Sequence, residues 1–110
     1  MHREVVMVIV EVEAGACGMK SVIQAHPEGR EVKLVIESDC PAVNELAAEL
    51  TGLEMRQVLG GFGQGPVFEL AGQHLNHAAC LVPAGIIKAA EVALGLNVPR
   101  PSSISFIDKK

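Results

Sequence analysis

Glu31-Val32-Lys33-Leu34-Val35-Ile36-Glu37 sets Val32, Leu34 and Ile36 on one side of an extended chain and Glu31, Lys33 and Glu37 on the other. Period-two alternation of this kind predicts a strand with one buried and one wet face. Directly behind it, Ser38-Asp39-Cys40-Pro41 starts a helix. Asp39 or Ser38 is placed to cap it, and Pro41 suits its first turn. Val43, Leu46, Ala47 and Leu50 then recur at helical spacing as a core-facing stripe. Gly52 stands where a glycine stop belongs. A half-buried strand feeding an amphipathic helix is the unit of an α+β domain.

Working outward, residues 1–13 are β-branched and read as a first strand. Val6, Val8, Val10 and Val12 form one apolar face. The opposite face begins with Val5, Met7 and Ile9 and ends with Glu11 and Glu13. Apolar residues on both sides predict a central strand, or one covered by a second chain or a helix. Residues 19–26 form a second strand, ended by the Pro27-Glu28-Gly29 turn. Short connections make an antiparallel meander the default. Residues 53–59 fit a short strand or an irregular link. Gly60-Gly61-Phe62-Gly63-Gln64-Gly65-Pro66 is a glycine-rich connection. It lacks the third glycine of a dinucleotide loop and the lysine-serine pair of a P-loop, so its role is that of a flexible link or a lid. Residues 66–74 fit a helix. The strongest helical pattern runs from Pro83 through Ile86, Ile87, Ala90 and Leu94 to a stop at Gly95. Residues 103–107 add an edge strand. The expected fold is α+β: an antiparallel β-meander of three or four strands, with two or three helices packed on one face, in one domain over residues 1–110.

Composition narrows the function. With 110 residues, 49% of them hydrophobic, the chain can build one ordinary core. A net charge of −4 and the absence of Trp and Tyr argue against nucleic acid as a partner. The longest unbroken apolar run, Val5 to Val10, is far shorter than the ~20 residues that cross a bilayer. Glu4, Glu11 and Glu13 around it spoil a signal-peptide reading, so a cytoplasmic location is expected. Three cysteines make an odd count in such a chain, which disfavours a disulfide framework.

The cysteines carry the functional signal. In a three-strand meander the first and third strands run parallel, so Cys17 and Cys40 fall at the same end of the sheet. Cys40 and Cys80 each stand at the start of a predicted helix, where unpaired N–H groups and the dipole favour thiolate. Thiolates suit zinc, copper(I) or an iron–sulfur cluster. The expected metal ligands are Cys17, Cys40 and Cys80. His77, spaced H-x2-C from Cys80, or Asp39 would stand fourth. The missing fourth cysteine favours an open site over a closed structural one. The plainer alternative is that each cysteine is a small buried hydrophobe. A metal-free cysteine enzyme or redox protein is a third reading, with Cys40 as its reactive thiol and His74 or His77 as base. His74 and His77 lie three apart and share a helical face; the plain reading of His74 is an exposed polar residue near a helix end. The apolar odd face of the first strand leaves a homodimer as one arrangement. An unidentified small molecule or protein is the remaining kind of partner.

At Cys17-Gly18, at Ser38-Asp39-Cys40-Pro41 and over residues 77–91 the chain resembles a group of small, functionally uncharacterised bacterial and archaeal domains with a three-cysteine layout. The resemblance implies that Cys17, Cys40 and Cys80 act as one set. It supplies no mechanism.

Overall fold

The computed structural model describes residues 7–108. Strands β1 (Val8–Glu13), β2 (Lys20–Glu28) and β3 (Glu31–Ser38) are followed by helix α1 (Pro41–Glu49). Strand β4 (Gly52–Glu54) and the single-turn helix α2 (Met55–Val58) come next, then α3 (Pro66–His74) and α4 (Val82–Ala93). The sheet is an antiparallel meander in the order β1-β2-β3-β4. The α+β architecture follows the sequence pattern, and residues 53–59 resolve into a short strand and one helical turn.

The helices cover one face of the sheet. Cross-strand rungs on that face are Val12–Ser21–Ser38, Val10–Ile23–Ile36 and Val8–Ala25–Leu34. Val43 and Leu46 of α1, with Val82, Ile86, Ala89 and Ala90 of α4, close over them. The opposite face is open to solvent. Ile9, Gln24 and Val35 form a rung there, with Ile9 and Val35 exposed. The expectation of a central first strand fails. Among the described residues β1 is an edge strand, and its second apolar face lies under no helix. Val5 and Val6 lie outside the described residues.

Three further expectations change. Gly52 is no helix stop, because α1 closes at Leu50. It lies in β4, where an added Cβ would stand 3.0 Å from the Val32 carbonyl oxygen. Asp39 and Ser38 do not cap α1; its N-cap is Cys40, with no side-chain cap bond. The edge strand at 103–107 does not form, and these residues are exposed and unpaired. The stop at Gly95 holds. Gly95 N–H donates to Val92 O and Leu96 N–H to Glu91 O, with Gly95 at φ +77°, a paired closure that favours glycine.

Helix α4 crosses β1 and β2 at close range through Gly85. A Cβ there would stand 2.4 Å from Val12 Cγ2 and 3.3 Å from Ile23 Cδ1. Val12 is β-branched and has no flexible end to withdraw. Gly72 of α3 has open space where its Cβ would be. The two glycines therefore answer to opposite forces. Gly85→Ala gains about 1 kcal/mol of helix propensity, but overpacking costs ~1–3 kcal/mol and at this overlap wins. Gly72→Ala keeps the gain without the clash. Chemical denaturation is expected to show Gly85→Ala destabilised and Gly72→Ala stabilised by up to about 1 kcal/mol. Val12→Ala in the Gly85→Ala background should recover part of the loss.

Candidate functional site

The chain builds one polar staple and one apolar groove. The staple closes the sheet end at Ser38. Ser21, buried under α4, shares a hydrogen bond with Ser38 (Oγ–Oγ 2.7 Å). Cys40 N–H donates to Ser38 Oγ at 3.0 Å, a local turn that sets the start of α1. Asn44 accepts from Ser38 N–H at 3.1 Å and donates to Ser38 O at 2.8 Å. Asp39 accepts from Lys20 N–H at 3.1 Å, which ties its carboxylate to the sheet. Cys40 is half-buried against the core at the hub of this network.

Cys17 sits on an exposed turn between β1 and β2, where Gly15 and Gly18 both take positive φ. The meander places Cys17 and Cys40 at the same end of the sheet. Cys80 comes two residues before α4, whose first turn stands over Val12 in the rung nearest that end. Strand direction thus brings Cys17 and Cys40 to one end of the sheet, while Cys80 lies in a different segment, among groove residues that include Val58 and Leu59. Among the described residues, however, no three His, Cys, Asp or Glu side chains gather closely enough to hold a metal ion.

The groove, about 900 Å³ in volume, lies between the 60–65 connection, α3 and the outer side of α4. Val58, Phe62, Phe68, Leu75 and Ile87 give it apolar walls. Gly72 and Ala84 keep it open because neither has a side chain large enough to fill it. Gln64, Asn76, His77, Lys88 and Glu91 supply its polar positions. Cys80 lines it too, half-buried, with its N–H closing a turn onto His77 O at 3.2 Å. The glycine-rich connection is one wall. Gly61, Gly63 and Gly65 take positive φ, and Phe62 is swung out onto Phe68 with ring centroids 5.9 Å apart.

His74 belongs elsewhere. It pairs with Glu49 and lies 3.7 Å from Glu45, joining α3 to α1. That is a structural strut near the end of α3, partly buried where the plain reading had it exposed. The sequence offered one hint of the groove: Leu59, Phe62 and Leu75 belong to no core stripe. The thiol environments predict an order of alkylation by iodoacetamide. Cys17 should react first, with Cys40 and Cys80 slower because each is half-buried. Peptide mass spectrometry against time checks this, and equal rates at all three sites would contradict the placement.

Among the described residues no helix is long and apolar enough to cross a membrane. No curated protein and no solved structure matches the chain. A family model does match, over residues 8–106, and the chain belongs to that family, a family of unknown function (DUF6951).

Proposed function

We propose that the protein is a binding module whose groove takes an apolar small molecule and presents it to the Cys80 thiol. One observation carries the reading: Cys80 lines an open apolar groove whose facing helices are kept small at Gly72 and Ala84. The volume falls within the ~300–1,000 Å³ of typical ligand sites, and a few polar groups among apolar walls is their usual make-up. Lys88 and Glu91 offer opposite charges for a polar head group, and His77 offers a ring nitrogen. The thiol of interest is then Cys80 and not Cys40, which lies in the staple. Any metal-free cysteine chemistry would run at the same place.

The test uses 1-anilinonaphthalene-8-sulfonate, an apolar probe with an anionic head. Gly72→Leu fills the groove from a position with free space and improves the helix. It should leave melting unchanged or raised while weakening probe binding about tenfold, the equivalent of roughly 1.4 kcal/mol. Bound probe should also slow alkylation of Cys80 and leave Cys17 unaffected. Probe binding indifferent to Gly72→Leu, with no protection of Cys80, would remove the reading.

A second reading, a soft metal or iron–sulfur cluster on Cys17, Cys40 and Cys80, is supported by the shared sheet end of Cys17 and Cys40. His77 would be its fourth ligand more readily than Asp39, whose carboxylate already accepts from Lys20. Zinc or a cluster on three thiolates requires the three segments to draw together on binding. Protein purified without oxygen should then carry metal, and each single Cys→Ser variant should lose it. A colourless, metal-free protein after anaerobic reconstitution with iron and sulfide, and after zinc addition, would end this reading.

A further inference from the structure

We infer that the C-terminal arm is a docking strand for a second copy of the chain, added to the free edge of β1. The arm begins after the Gly95 closure and every residue from Asn97 to Asp108 is exposed. Ile104 is 75% exposed, Ile107 88% and Phe106 fully so. The last backbone hydrogen bond among the described residues of the arm joins Arg100 N–H to Val98 O. Three large apolar side chains in one short extended segment are thus left largely exposed.

The arm is built like a strand. Ser103-Ile104-Ser105-Phe106-Ile107 contains no Gly or Pro, and Ile104 and Phe106, two apart, share one face. What it lacks is a partner strand. Among the described residues the β1 side of the sheet lacks one too. β1 is an edge strand of six residues with no proline, lysine or bulge to blunt it. An arm paired to it would set Ile104 and Phe106 beside exposed Ile9 on the open face. Ile107 would fall on the other face, beside half-buried Val8 and Val10.

Two further observations select a copy of this chain as the occupant. Residues 97–110 carry three basic groups against one acidic, while residues 1–96 carry six basic against twelve acidic. Arm and body are thus oppositely charged, and β1 itself ends in Glu11 and Glu13. The family match also runs through Phe106, so the arm is shared by the family pattern and is not an appendage to it.

Sedimentation of the full chain over a micromolar to sub-millimolar series tests the idea. The wild type should form a dimer. The double variant Ile104→Ser, Phe106→Ser should weaken it at least about tenfold, while circular dichroism at concentrations below dimerisation shows the same folded chain, since both positions are exposed in one copy. A photo-crosslinking p-benzoylphenylalanine at position 106, in a mixture of isotopically light and heavy chains, should join heavy to light through β1 or β2. A monomer across the series overturns the inference. So does a dimer that survives the double variant, crosslinking confined within one chain, or crosslinks that land in the groove between α3 and α4.

Discussion

The architecture depends on how closely α4 can approach the sheet. At Gly85 the helix backbone comes down onto Val12 and Ile23 with no room for one more methyl group. Ala89 and Ala90, both fully buried, continue the contact with small side chains. Because α4 lies low over β1 and β2, its inner side completes a core made of Val, Ile, Leu and Ala. Its outer side is left as a wall of the groove, where Ala84 projects little, Ile87 is half-buried, and Lys88 and Glu91 supply charge. The groove is a consequence of that approach. A large residue at position 85 would lift the helix and change the groove and the core together.

The second constraint is that only one face of the sheet is covered. A chain of this length has little apolar mass to bury a second layer. Residues of the open face alternate accordingly, with Glu31, Lys33 and Glu37 wet. The apolar exceptions include Met7 and half-buried Val22, and also Ile9 and Val35, which stand exposed in one rung around Gln24. Isolated exposed apolar residues are ordinary. Two in one rung, next to an unpaired edge and with an apolar arm of the same chain unoccupied, form a pattern that packing within one copy does not explain.

Much of the fold was legible because it rests on local periodicity. Val32, Leu34 and Ile36 gave the register of β3, and the stripe from Val43 to Leu50 gave α1. Pro66 and Pro83 marked the starts of α3 and α4 to within a residue or so, since proline suits the first turn and little else in a helix. What was not legible depended on tertiary partners. The edge position of β1 follows from strand order, which residues apolar on both faces cannot report. Gly52 looked like a helix stop, although its reason is the backbone of Val32 across the sheet. The groove was hidden because its walls come from three segments far apart in sequence, and because what defines it at Gly72 and Ala84 is absent side chains. The cysteines were partly legible. The meander puts Cys17 and Cys40 at one end, as strand direction requires, while the place of Cys80 needed the packing of α4.

The distribution of aromatic residues ties the groove to the arm. The chain has three phenylalanines and no other aromatic residue of that kind. A small core gains most from its largest apolar side chains, so a chain selected for stability alone would bury them. Here none belongs to the buried core: Phe62 and Phe68 line the groove, and Phe106 stands on the arm. Smaller aliphatic residues fill the interior instead. Aromatic side chains held outside the core are the kind that dominate binding surfaces, where a large rigid group contributes contact at little entropic cost. The sequence thus keeps its strongest contact residues for surfaces that a single copy leaves open, and it does so at two separate places.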